Sequence, residues 1–338
     1  MNLWSKTQKS PARASRPRGF RLERPGGGFP FGKRYVLFML TCLCLLPMPS
    51  AHAIMAGGEF DLPADFPSNR IDPLTSTSPF NYVGGLEMTL NSSRFYGTAV
   101  ALSPNWVLTA GHNVDTNDDG LPDGGLSASF HLPGFGSYTA SSFLTHPDFT
   151  GFGNPTIHHD LALLHFADPL PSTLSFPPLG LSMNTGDVIT LAGFGRSGFG
   201  SYGYTTQAGV TNRRLGQNTV ESFTLGSSGL PELFRYTFYA PDNPASLGND
   251  IETLIGPGDS GGPALLEWSD TYALIGINTF TEGFGGRFGD IGGGIILEPY
   301  WGWISETTGL SLVPEPTTYA LWFGLIILIV IISRRNRF

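Results

Sequence analysis

From residue 54 to residue 312 the chain breaks into short apolar or alternating runs, among them TAVALSP, NWVLTAG, LALLHF, VITLAGFG and YALIGINTF, each fenced by Gly, Pro, Asn or Asp. Strands of about four to eight residues can bury such runs, whereas a helix needs an apolar stripe sustained over about three turns. Helical patterning is confined to one short stretch, EPYWGWISETT. The pattern predicts an all-β domain of many short strands, a sandwich or barrels, with a short helix near its end. No internal repeat is present.

The two ends read differently. Nine of the 19 Lys and Arg residues precede residue 35, and they lead into the apolar run YVLFMLTCLCLL and then PMPSAHA. A basic region, an apolar core too short for the roughly 20 residues of a span, and an A-x-A site at Ala51-His52-Ala53 are the order of a secretory signal. Cleavage after Ala53 would make Ile54 the first residue. Both cysteines, Cys42 and Cys44, fall inside that apolar run, so the exported chain would hold no disulfide and would rely on its core.

The middle of the chain is acidic, with seven Arg and no Lys between residues 35 and 333 against 26 acids from Glu59 to Glu315. That balance disfavours nucleic acid and anionic lipid as partners. The C-terminus runs VPEP, TTYALWFGLIILIVIIS, RRNRF. Its Pro-Glu-Pro breaker, apolar stretch and terminal Arg cluster resemble the PEP-CTERM sorting tail of bacterial envelopes over residues 313–338. The resemblance implies transient membrane anchoring and an exosortase-type processing enzyme as partner; an ordinary C-terminal anchor fits the same physics.

Three stretches in the middle carry chemistry. NWVLTAGH ends at His112, HHDLALLHF contains Asp160, and GPGDSGGP contains Ser260. Acyl transfer by a hydroxyl needs a base to take its proton and a carboxylate to orient the imidazolium that forms. His, Asp and Ser stand here in that order, which is neither the subtilisin nor the α/β-hydrolase order. Each also has an ordinary reading: a packed histidine, a turn aspartate, a loop serine. His158 and His159 flank Asp160, but neighbours in a strand point to opposite faces, which argues for packing or surface roles.

TAGHN, DLALL and GDSGGP resemble the TAAHC, DIALL and GDSGGP motifs of the trypsin/chymotrypsin-like serine proteases, over about residues 71–307. The resemblance implies two six-stranded antiparallel β-barrels, about 71–180 and 181–312, and a polypeptide substrate. It implies Ser260 as nucleophile, His112 as general base and acid, and Asp160 as orienting carboxylate. The amides of Gly258 and Ser260 would form the oxyanion hole, and Asp259 would pair with a new N-terminus. The family's cysteine after the catalytic His is Asn113 here, its partner position is Gly97, and the cysteine near the Ser loop is Gly256. Leu254 stands where trypsins carry the Asp that binds Lys or Arg. With Thr279-Phe280-Thr281 opposite, a small or medium apolar side chain is expected before the scissile bond.

Two further features stay open. DTNDDGLPD offers Asp115, Asn117, Asp119 and Asp123 as oxygen ligands for a structural calcium, although the usual closing Glu position is Leu126; a solvated acidic turn fits as well. For the mature N-terminus, Ile54-Met55-Ala56-Gly57-Gly58 resembles the family's Ile-Val-Gly-Gly start. The distance from Ile71 to His112 is nearer the family spacing, which favours Ile71 with residues 54–70 as a propeptide. A catalytically silent, protease-like binding module of the envelope is the alternative function.

Overall fold

The computed structural model describes residues 54–61, 65–73, 76–153, 157–248, 250–283 and 285–312. The expected signal segment and sorting tail, 1–53 and 313–338, lie outside the described residues. Among the described residues no helix is long and apolar enough to cross a membrane.

Seven strands form the first sheet: β1 (Val83–Leu90), β2 (Ser93–Ala101), β3 (Trp106–Thr109), β4 (Ser127–Leu132), β5 (Gly136–Thr139), β6 (Ser142–Thr145) and β7 (Ala162–His165). Their order is β5-β4-β1-β2-β3-β7-β6, and every pairing is antiparallel. The second half adds β8 (Val188–Gly193), a small hairpin of β9 (Gly198–Phe199) and β10 (Gly203–Tyr204), then β11 (Arg214–Thr219), β12 (Ser222–Leu225), β13 (Pro231–Thr237), β14 (Pro263–Trp268), β15 (Thr271–Glu282) and β16 (Ile291–Ile296). Its large sheet runs β11-β8-β14-β15-β16-β13-β12. Six strands were expected in each barrel and seven are found in each sheet. The reason is local: β5 and β6 are separated only by Ala140 and Ser141, and β11 and β12 only by Val220 and Glu221. Each pair is one strand interrupted as it passes from one neighbour to the other, so its two halves join the ends of its sheet.

Strand β4, SASFHL, shows how sequence sets the faces. Ala128, Phe130 and Leu132 are buried, while Ser127, Ser129 and His131 alternate outward. Two-residue turns join β1 to β2 and β14 to β15, with Asn91, Ser92, Ser269 and Asp270 all at positive φ. That is the turn whose twist matches paired strands, and short polar side chains tolerate it best. One apolar cluster fills the first barrel around Leu86, Val100, Leu108, Phe130 and Leu163 and continues onto Leu265, Leu274 and Ile277 of the second. A second gathers Ile189, Leu191, Phe234, Ile275 and Ile296. Full burial of each such side chain contributes about 1.5–3 kcal/mol, the term a domain without disulfides depends on. Helix α1 (Trp301–Thr308) turns Trp301 and Ile304 into the first cluster and stops at Gly309, whose φ of 73° closes its last turn.

Candidate active site

Pairing brings the three chemical stretches together. β3 and β7 are neighbours with Thr109 opposite Ala162, so the turn after β3, which carries His112, meets the lead-in to β7, which carries Asp160. Asp160 is fully buried. One of its oxygens accepts the His112 backbone N–H at 2.8 Å and the other lies 2.7 Å from His112 Nδ1. A carboxylate in that position keeps the proton on Nδ1 and leaves Nε2 as the basic nitrogen. Burial opposes protonation of His112, but the attraction of Asp160, with smaller help from Asp118 and Asp115, outweighs it and raises the imidazole above its ordinary value. The Phe152 ring packs at 4.7 Å on the imidazole, a contact no motif announced.

Ser260 precedes β14 and is held from the first barrel through its backbone. Its carbonyl accepts Thr98 N–H and Asn113 Nδ2, both at 2.9 Å. Thr98 Oγ1 donates to the Gly258 carbonyl at 2.8 Å, and Asn113 Nδ2 also reaches Thr109 Oγ1 at 2.9 Å. Ser260 Oγ has no hydrogen-bond partner among the described residues, and a serine–histidine bond of this kind often tightens only when substrate binds.

Asn113 and Gly97 face each other: a Cβ on Gly97 would lie 2.7 Å from Asn113 Nδ2. The amide side chain therefore fills the space a disulfide would take and adds a bond to the serine loop. Replacing Asn113 by Ala is expected to leave the Ser260 carbonyl with the Thr98 N–H alone, at a cost of about 1 kcal/mol, and to lower the unfolding midpoint measured by calorimetry. At Gly256 the neighbouring volume belongs to the Tyr204 ring, 2.7 Å from where a Cβ would stand.

The serine loop is shaped around its glycines. Gly258 has a φ of 98°, a conformation that excludes ordinary side chains. The Pro257 carbonyl accepts Arg196 N–H at 2.8 Å, and in a trans peptide this turns the Gly258 N–H the opposite way. Among the described residues the Gly258 and Ser260 amides reach no internal acceptor, as donors reserved for an oxyanion must. Ser260 borders a cavity of about 70 Å³ with Ile255, Gly256, Pro257, Thr279, Phe280 and Thr281. Leu254, expected as the cavity's floor, does not line it. Its side chain is buried in the second core and its carbonyl accepts Met55 N–H, so Ile255 takes the lining position. Thr279 Oγ1 is buried beside this cavity with no partner among the described residues. A larger cavity, about 350 Å³ along Arg70, Asp72 and Leu215, includes none of the three chemical residues.

Asp259 is buried behind the serine. Its oxygens accept Gly195 N–H at 2.7 Å and Gly256 N–H at 2.8 Å. Burial lifts the carboxyl to about 7, against the opposing pull of these amides, of the Ile54 N–H and of Arg214. Ile54, Met55 and Ala56 are fully buried. Met55 N–H donates to the Leu254 carbonyl at 3.0 Å and Ala56 N–H to Gly198 at 2.9 Å, while Ser197 Oγ donates to the Ile54 carbonyl. Ile71, favoured by spacing, bridges to Arg214 on β11 instead. Arg70, whose cleavage would free it, is buried against Asp65 at 2.5 Å and donates to the Ile251 and Glu252 carbonyls. Residues 54–58, Asp65, Pro67 and Arg70 are thus buried against the second half, which spacing alone could not reveal.

The acidic loop is closed by its own donors. Asp115 accepts the amides of Asp119 and Gly120 at 3.2 and 2.8 Å. Asp123 accepts the Thr116 amide and hydroxyl, and Asn117 Nδ2 donates to Asp119. A calcium ion there would compete with these bonds.

The sequence model of the Trypsin family matches residues 76–304. No curated protein matches the chain. The solved structure of HL collagenase is 21% identical, over 69% of this chain and 95% of that chain, with a TM-score of 0.52, a likeness of fold.

Proposed function

Since the chain belongs to the trypsin family, we propose that it is an exported serine endopeptidase that cleaves peptide bonds through an acyl-enzyme on Ser260. The observation that carries this reading is the His112–Asp160 pair, 2.7 Å apart, with the Ser260 carbonyl bonded to Asn113, the residue after His112. Ser260 attacks the substrate carbonyl while His112 Nε2 takes its proton; Asp160 steadies the imidazolium; the Gly258 and Ser260 amides hold the oxyanion. His112 then protonates the leaving amine, and water repeats the sequence to free the acid. No step asks for a cofactor. A silent binding module would not need an orienting carboxylate fully buried against its histidine.

The 70 Å³ cavity limits the side chain before the scissile bond. The recess is small, and Thr279 and Thr281 border it, which favours a small side chain. With no carboxylate among its lining residues, a buried cation would stay unpaired. A peptide-library profile is expected to favour Ala, Val or Thr at that position, and Thr281→Gly is expected to widen acceptance toward Leu and Phe. Unchanged selectivity in that variant would remove Thr281 from the pocket's wall.

Signal cleavage after Ala53 makes Ile54 the mature N-terminus in this reading, and its ammonium pairs with Asp259. The C-terminal segment holds the protein at the envelope membrane until an exosortase-type enzyme removes it. Intact-mass analysis of protein recovered from the envelope is expected to show an end near residues 313–316. A species retaining Phe338 would indicate a permanent anchor.

A further inference from the structure

We propose that His146, Asp148 and His159 bind a zinc ion that staples the segment carrying Asp160. One ligand atom from each lies within 4.8 Å of the others, and no other such group of three occurs among the described residues. The set of two imidazoles and a carboxylate matches a borderline divalent transition metal better than calcium or magnesium, which favour oxygen. In a tetrahedral site with bonds of about 2.0–2.1 Å the ligand atoms stand about 3.4 Å apart. Side-chain rotation alone can close the remaining gap, because Asp148 is exposed and His146 half-buried.

The two histidine rings stack nearly parallel, with centroids 5.3 Å apart and planes 13° apart, so one ring turns when both nitrogens take a shared ion. Tyr300 Oη lies 3.1 Å from His159 Nδ1, which leaves Nε2 as the nitrogen for a metal. His159 sits at a φ of 62°, in the left-handed region that histidine enters more readily than most residues. Next to it, His158 Nδ1 lies 2.6 Å from Glu232 Oε2, so the adjoining imidazole is committed elsewhere. A tyrosine or carboxylate fixing the far nitrogen of a ligand histidine is the usual support of a metal site.

The location gives the ion its consequence. His159 immediately precedes Asp160, and His146 N–H donates to the Leu161 carbonyl at 2.9 Å, just past it. Zinc would therefore bind beside the orienting carboxylate and tie its strand lead-in to Tyr300, the residue before helix α1. In a chain whose cysteines lie only at residues 42 and 44, such a clip takes the stapling role left open by missing disulfides. The site is separate from the triad, and its test does not depend on peptidase activity.

The test uses the exported chain carrying Ser260→Ala, stripped with a chelator and titrated with zinc by calorimetry and with cobalt by visible absorption. One equivalent of zinc is expected, with the visible bands of four-coordinate cobalt and a rise in unfolding midpoint of about 5–10 °C at zinc a hundredfold above its Kd. His146→Gln and His159→Gln should each weaken binding by about a hundredfold, and His112→Gln should leave it intact. If His159→Gln fails to fold, Asp148→Asn decides, because Asp148 is exposed and its loss leaves the packing intact. Absence of saturable binding up to millimolar zinc, or binding lost in His112→Gln and kept in His146→Gln, would overturn the proposal.

Discussion

Replacing Ser260 by Ala is expected to lower kcat for peptide hydrolysis by about five to six orders of magnitude, with little change in the unfolding midpoint. The two halves of that expectation have separate causes. Ser260 Oγ has no hydrogen-bond partner among the described residues, so its removal strands nothing in the fold, whereas the carbonyl that Thr98 and Asn113 grip is kept. The chemistry, in contrast, has no other nucleophile. His112→Ala should act alike, and the double variant should lose little more, because a base without its nucleophile has nothing to activate. Additive losses in the double variant would show that the two residues do not act as one unit.

Blocking signal cleavage is expected to cost about a hundredfold or more in kcat/KM, the scale of losing one oxyanion donor. In the uncleaved chain Ile54 holds a φ of 60°, a strained conformation for a β-branched residue, worth about 1–3 kcal/mol. Cutting the Ala53–Ile54 bond removes the carbonyl that causes the strain and turns an amide into an ammonium beside Asp259. Without that ammonium, Asp259 stays near 7 through burial, well above its unfolded value of 3.8. The folded state then binds the extra proton between those two pH values, so stability falls as pH rises from about 4 to about 7. The loss amounts to about 4 kcal/mol. The mature enzyme should lack this slope, since its ammonium favours the ionised carboxylate. An Ala53→Pro precursor should therefore melt lower at pH 8 than at pH 5, relative to the mature chain. Equal melting curves, or active enzyme beginning at Ile71, would refute the role given to Ile54.

What could be read in the sequence was whatever chemistry fixes locally. GDSGGP needs its glycines where the backbone must turn amides outward, and HHDLALL needs its apolar run to carry Asp160 into the interior, so both announce themselves. The strands were legible for the same reason, as in the alternation of SASFHL. Leu254 was misplaced because pocket walls are counted along a loop, and Met55 fixes that loop's register from 199 residues away. Burial of Arg70 against Asp65 and of Ile54 near Asp259 favours Ile54 where spacing favours Ile71, and both contacts are invisible to spacing. Asn113 could be recognised as a missing cysteine, yet its bond to the Ser260 carbonyl depends on three segments meeting. The His146–His159 pair was hidden likewise, since its members belong to different strand ends.

The central claim is that Ser260 is a nucleophile activated by His112, and a fluorophosphonate probe tests it most directly. Mature enzyme treated with the probe and analysed by peptide mass spectrometry should carry one adduct, on Ser260, formed far more slowly in His112→Ala. An unlabelled Ser260, or labelling undiminished in His112→Ala, would contradict the mechanism.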